Sequence, residues 1–167
     1  ALVDYALPKN IKKMQADMEK YKIFYDKWFF ESELHKSGAV KAVVDLLTEK
    51  GLTYEKDGAV WYKNKEVLTQ KLLKEGKSQK YIDNLELKDD VLIRQNGNPT
   101  YFTADIAYHK NKFDRGFTTL IDVWGADHHG HVMRMKGAMD AIGYDGDKLN
   151  VVLMQLVKLV RSEEHTS

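Results

Sequence analysis

The stretch from Leu120 to Met154 is compatible with few folds. Leu120 to Trp124 is a short apolar run of strand length. Gly125-Ala126-Asp127 then turns the chain, and Val132, Met135, Met139 and Ile142 recur at helical spacing. Gly143 closes that helix, and Leu149 to Met154 is a second apolar strand. Strand, helix and strand with short connections predict a parallel βαβ unit with a right-handed crossover. Leu120 to Trp124 reads as a buried-type strand. Ligands of such sheets bind beyond the carboxyl ends of the strands, which here means Gly125 to His129.

The preceding residues are mixed. Pro8 suits the first turn of a helix, and Ile11, Met14, Met18 and Tyr21 give Asn10 to Tyr21 a helical period. Tyr25 to Phe30 is aromatic enough for a strand, although so short a run leaves helix or strand open. Ser37 is the expected N-cap of a helix whose apolar face is Val40, Val43, Val44 and Leu47, with Gly51 as its stop. Leu52 to Glu55 and Ala59 to Tyr62 flank Lys56-Asp57-Gly58, a hairpin signal. Residues 64–88 are Lys-rich and partly helical, with a solvated charged face. Val91 to Arg94 is expected to pair with Tyr101-Phe102 across Asn96-Gly97-Asn98-Pro99. A helix follows from about Ala104 to Arg115.

Composition narrows the class. The chain has 167 residues, 43% apolar and 31% charged, which suits one soluble domain with a substantial core. No apolar run approaches the roughly 20 residues that span a bilayer, and ALVDYALPKN lacks the pattern of a signal peptide. With no cysteine, disulfides and thiolate zinc sites are excluded, and a cytoplasmic protein is expected. Lys and Arg number 26 against 25 Asp and Glu, so no strong basic field marks a nucleic-acid binder.

Two constellations can carry chemistry. Gly125-Ala126-Asp127-His128-His129-Gly130-His131 joins a strand end to a helix start, where free N–H groups favour phosphate or carboxylate. Asp127 either caps that helix or binds a ribose hydroxyl or ammonium group. His128 and His131 share a helical face, so two metal ligands are feasible; the alternative is a polar lining for a nucleotide. The second constellation is Tyr101 and Asp105, read as a strand end and a first helical turn. Together they can hold a guanidinium, or Asp105 can cap the helix while Tyr101 joins the core. Gln155 is a lone amide at a strand's carboxyl end.

These pieces stand in a recognisable order. TYFTADIAYHKNKFDRGFTTLIDVWGADHHGHVMRMKGAMDAIGYD (Thr100 to Asp145) closely resembles the catalytic domain of bacterial arginyl-tRNA synthetases. So do FYDKWFFESELHKSGAVKAVVDLL and YEKDGAVWYKN upstream, and LNVVLMQLVKLVR downstream. The resemblance covers about residues 5 to 161 and is weakest from Glu66 to Lys88. It implies an α/β fold, part of a Rossmann-type (HUP-like) class I synthetase catalytic domain with a helical and β-hairpin insertion. Residues 1–50 would be helical, 51–99 the hairpin and insertion, and 100–160 the second-half Rossmann βαβ.

The resemblance also implies an activity. The parent enzyme would activate L-arginine with ATP and Mg2+ to arginyl-adenylate, then load tRNA(Arg), as a cytoplasmic monomer without a membrane. Tyr101, Asp105 and His128 would bind arginine. Gly125, Asp127, His128, His129, Gln155, Leu156 and Val157 would line the ATP and adenylate pocket. Relatives outside bacteria carry glutamine where His128 aligns. No residue would hold a metal, and nothing marks 64–88 as a tRNA contact. The family's His-x-Gly-His and Lys-Met-Ser-Lys-like signatures are absent from the sequence, so no residue here is expected to be catalytic. The chain is expected to be an inactive, marginally stable fragment, with RSEEHTS at 161–167 a non-native tail. The alternative is a metal-dependent hydrolase using Asp127, His128 and His131.

Overall fold

A computed structural model describes residues 2–155 and 157, and the side chains of all of these except Asp4 and His129. The chain divides into two compact units, Ala1–Phe30 and Glu31–Ser167. In the first, helix α1 runs from Leu2 to Lys20 and contains Pro8 in its interior. The helix therefore begins earlier than the proline suggested, because Leu2, Val3, Ala6 and Leu7 extend the helical run upstream. Tyr25 to Phe30 is not a strand. It has no regular structure, and Tyr25 packs edge-on against Trp28 at 5.3 Å.

The second unit opens with α2 (Glu31–Lys36) and α3 (Ala39–Glu49). Ser37 does not cap α3. Its hydroxyl donates to the Leu34 carbonyl at 3.2 Å and so closes α2, while Gly38, at φ 76°, is the residue that enters α3. Val40, Val43 and Leu47 are buried, and Gly51 ends the helix at φ 70°.

Strands β1 (Thr53–Lys56) and β2 (Ala59–Tyr62) form the expected hairpin. Asp57 and Gly58 both take positive φ, 53° and 73°, the geometry that a two-residue turn between twisted strands demands. Helices α4 (Asn64–Lys74) and α5 (Gln79–Asp83) account for the Lys-rich stretch, and Leu68 and Leu72 of α4 are buried. That stretch is therefore more than a solvated face.

Strand β3 (Asp90–Ile93) pairs with β2, not with Tyr101-Phe102. Those two residues instead open α6 (Tyr101–Asp114). The reason is local: Thr100 is a good N-cap, and its hydroxyl accepts from the Thr103 N–H at 3.4 Å. The Thr100 hydroxyl also donates to the Val91 carbonyl, and the Thr103 hydroxyl to the Leu92 carbonyl, each at 2.8 Å. Two hydroxyls thus fasten the start of α6 to β3.

Strand β4 (Leu120–Gly125), helix α7 (His129–Ala141) and strand β5 (Leu149–Met154) form the parallel βαβ unit, in register from Leu120↔Leu149 to Gly125↔Met154. Met135, Ala138, Met139 and Ile142 are buried beneath it with Leu149. Strand β4, whose sequence suggested a buried strand, and β5 leave an apolar face uncovered. Ile121 and Val123 are 68% and 67% exposed, and Val152 and Met154 are also open. Asp122, in the middle of β4, is buried instead.

Glycines set how closely α7 is packed. A Cβ on Gly146 would lie 2.2 Å from the Lys136 carbonyl oxygen, a backbone atom with little freedom to move. A Cβ on Gly137 would meet the end of the Leu68 side chain at 2.7 Å, and that methyl can rotate away. Gly146→Ala is expected to destabilise the second unit by about 1–3 kcal/mol, and Gly137→Ala by clearly less. Urea unfolding of both variants checks the order, and a reversed order would contradict this packing.

Candidate functional site

The N-terminal cap at Thr100 fixes the phase of α6. Phe102 and Ile106 turn into the core, and Tyr101 and Asp105, four residues apart, share the adjoining face. Tyr101 is 77% exposed, which removes the core reading, and Asp105 lies in the second turn, too deep to cap the helix. Across from them, β4 ends at Gly125 and a short 3-10 turn, Ala126–His128, leads into α7. A Cβ on Gly125 would sit 2.5 Å from Asp127 Oδ1, so a larger residue there would turn the exposed Asp127 side chain away from the strand end. Asp127 is not the cap of α7. His128 holds that position, without a capping side-chain bond.

These elements enclose an open cleft of about 550 Å³ lined by Tyr101, Phe102, Asp105, Asp127, His128, Gly130, His131 and Arg134. The structure thus brings Tyr101, Asp105, Asp127 and His128 together. Gly125, at the end of β4, does not line the cleft. Gln155 and Val157 are exposed and do not line this cleft, although Gly125↔Met154 pairing puts Gln155 at the same carboxyl end of the sheet. Leu156 and the His129 side chain lie outside what is described, as do 158–167.

His131, weighed from sequence only as a metal ligand, is committed elsewhere. Its Nδ1 faces the Arg134 guanidinium at 2.9 Å, and its Nε2 faces Asp105 Oδ2 at 3.1 Å. Arginine only donates, so Nδ1 must accept and Nε2–H must donate to the carboxylate. With both ring nitrogens occupied, His131 cannot complete a metal site with Asp127 and His128. Among the described residues no set of three ligating side chains converges on a cation position. His128 and Asp127 approach only to 3.8 Å at an exposed position, an interaction of little energetic weight.

Beneath the cleft lies a buried ionic cluster. His109 Nδ1 donates to the Asp105 carbonyl at 2.7 Å, its Nε2 bonds Asp122, and Lys112 Nζ reaches the other Asp122 oxygen at 2.7 Å. Burial alone would raise the Asp122 carboxyl, but His109 and Lys112 together hold it below the usual carboxylate range. The Trp124 ring stands between this cluster and the cleft, 6.1 Å from His109 and 5.2 Å from His131.

Comparison with known proteins bears on this arrangement. No protein-family profile matches the chain. An arginine–tRNA ligase of Caldanaerobacter subterraneus subsp. tengcongensis is 55% identical over 161 residues, which cover 96% of this chain and 26% of that protein. One from Ruminiclostridium cellulolyticum is 50% identical over 163 residues. A crystal structure from Campylobacter jejuni, described as an arginyl-tRNA synthetase, superposes with a TM-score of 0.75 at 35% identity, over 93% of this chain and 30% of that one. The chain is homologous to one segment of arginine–tRNA ligases.

It spans about a quarter of the length of the curated relatives it matches. The Thermus thermophilus arginyl-tRNA synthetase, at 16% identity and a TM-score of 0.72, shares the fold. The α/β class I architecture expected from the sequence is therefore present. No relative offers support for a hydrolase. Against that family background, the residues that sequence reasoning missed are Arg134, the role of His131, and the His109–Asp122–Lys112 cluster. One signal was available: a charged Asp122 in the middle of the apolar run LIDVW requires a buried partner.

Proposed function

We propose that this chain supplies the arginine-binding side of an arginine–tRNA ligase catalytic domain, with the boundaries 1–50, 51–99 and 100–160 given above. The parent enzyme would transfer the AMP moiety of ATP to the L-arginine carboxylate with loss of pyrophosphate, then pass the arginyl group to the 3′ end of tRNA(Arg) with release of AMP, in the cytoplasm. The observation that carries this reading is the shared cleft of Tyr101 and Asp105 within a chain 55% identical to such a ligase. An ionised carboxylate accepts a guanidinium in a forked pair, and the neighbouring phenol offers a hydroxyl or ring face. Asp127 and His128 at the opposite wall stand at a strand-to-helix turn, the place where α/β sheets bind nucleotides.

Mg2+ would arrive with ATP and be held through its phosphates. The described residues present no carboxylate cluster suited to hold the ion themselves, so no step is assigned to it. The chain carries neither phosphate-binding signature and is expected to be silent in catalysis by itself.

Calorimetric titration with L-arginine, L-lysine, L-citrulline and a non-hydrolysable arginyl-adenylate mimic tests the reading. Arginine and the mimic should bind. Citrulline, which replaces the charged guanidinium with a neutral urea, should bind more weakly, by up to about 10⁴-fold in a fully desolvated site. Equal affinity for arginine and citrulline, or no binding of either arginine or the mimic, overturns it.

A further inference from the structure

The cleft contains its own arginine, and that residue makes a continuous chain of bonds across the site. Arg134 Nη1 donates to Asp90 Oδ1 at 2.6 Å, Arg134 Nη2 donates to His131 Nδ1 at 2.9 Å, and His131 Nε2 donates to Asp105 Oδ2 at 3.1 Å. The members come from separate elements: Asp90 from β3, Arg134 and His131 from α7, Asp105 from α6. The guanidinium also lies 5.3 Å over the Phe102 ring, and the His131 ring meets Phe102 edge-on at 5.6 Å. Aromatic packing therefore holds both donors in place.

The charges along this chain are informative. Arg134 is always cationic, and its partner Asp90 is a partly buried carboxylate whose other oxygen is buried without a hydrogen-bond partner among the described residues. The positive charge is thus taken up on the side away from Asp105. Between them stands His131, mostly buried, in the neutral Nε2–H form that the guanidinium imposes. A neutral N–H orients a carboxylate without cancelling its charge. A cation bonded directly to Asp105 would do both.

We propose that Arg134 is a positioning residue for the substrate-guanidinium subsite: held by Asp90, it locks the His131 tautomer, and His131 in turn aims an uncancelled Asp105 carboxylate into the cleft. This rests on the function proposed above and deepens it. It assigns the selectivity for a cationic side chain to a chain of residues, most of which need not touch the ligand. The fork geometry matters, because Arg134 must bond Asp90 and His131 at once. Lysine preserves the charge but presents a point donor on a flexible stem and cannot reproduce the planar bridge.

The test uses the 167-residue chain and two separate readouts. Long-range nitrogen–proton NMR of the histidine rings reports the tautomer of His131 without any ligand, and calorimetry reports L-arginine affinity. The wild type should show His131 as Nε2–H. Arg134→Lys should release it to a mixture of tautomers and weaken L-arginine binding by about tenfold, the size expected for loss of one hydrogen bond to a charged group. His131→Gln, whose amide N–H can replace the Nε2 donor, should retain affinity that His131→Leu loses. An Nδ1–H tautomer in the wild type overturns the positioning role whatever arginine does. So does Arg134→Lys with tautomer and affinity unchanged, or equal affinity for the Gln and Leu variants. A wild type with the Nε2–H tautomer but no affinity for arginine or its adenylate mimic sinks the ligase reading and the positioning role built on it, while leaving the tautomer lock intact. The two failures are thereby distinguishable.

Discussion

Asp105→Asn is expected to weaken L-arginine binding by about 30- to 150-fold, or ~2–3 kcal/mol, while leaving the fold intact. Asparagine keeps the shape of aspartate, and its carbonyl can still accept the His131 Nε2–H, so the bond that now stands at 3.1 Å has a replacement. What disappears is the negative charge and the forked acceptance of a guanidinium. The estimate sits at the low end for lost ion pairs because Asp105 is half-exposed, and water screens part of its field. The same exposure makes the substitution mild for stability. Binding calorimetry beside a urea melt separates the two effects. Affinity within threefold of wild type would remove Asp105 from the guanidinium subsite, whereas Tyr101→Phe, which keeps the ring, should cost about 1 kcal/mol or less.

The βαβ unit was legible because each of its signals is local. Apolar runs of strand length, a glycine turn at Gly125 and a helical period ending at Gly143 need no distant partner to be read. The hairpin at Asp57-Gly58 was legible for the same reason, since the turn itself requires positive φ. The failures share a different cause. Tyr101-Phe102 looked like the second strand of a hairpin, because an Asn-Gly-Asn-Pro turn lies before it and aromatic residues favour strands. Thr100 decided otherwise, and its capping role depends on carbonyls of β3 that the sequence does not place nearby. Ser37 presented the same choice in reverse: a plausible cap was used to close the preceding helix.

The site was half legible. Tyr101 and Asp105 lie four apart, and although Tyr101 was read as a strand end, α6 returns both to one face and one cleft. Bonds between elements were not visible. Arg134 and His131 look like a solvent-facing pair at i, i+3, and only the fold brings Asp90, forty-four positions upstream, against them. The open side of β4 was misread as buried because burial on both faces and burial on one give nearly the same run when Ile and Val occupy the open positions.

Asp122→Ala is expected to cost ~3–5 kcal/mol at neutral pH, a large part of the roughly 5–15 kcal/mol that holds a domain together. The carboxylate is 6% exposed and bonded to His109, itself 3% exposed, and to Lys112. His109 donates Nδ1–H to the Asp105 carbonyl, so its second bond to Asp122 draws on a shared or second ring proton. Without Asp122, the buried His109 Nε2 and the Lys112 ammonium, both on α6, would be left without their partner. The contribution depends on pH in one direction. Asp122 titrates below its ordinary value of 3.8, so its stabilisation is complete above that value and is lost as pH falls from 3.8 through the lower folded value. Urea melts at pH 7 and pH 3 should therefore show a wide gap between wild type and Asp122→Ala that narrows in acid. Removing the whole cluster, as in His109→Met and Lys112→Met with Asp122→Leu, should recover most of the stability, because the penalty belongs to the orphaned partners more than to the lost pairs. A single variant within about 1 kcal/mol of wild type at pH 7 would show that the cluster contributes little, and a gap of constant size across pH would remove Asp122 from the titration.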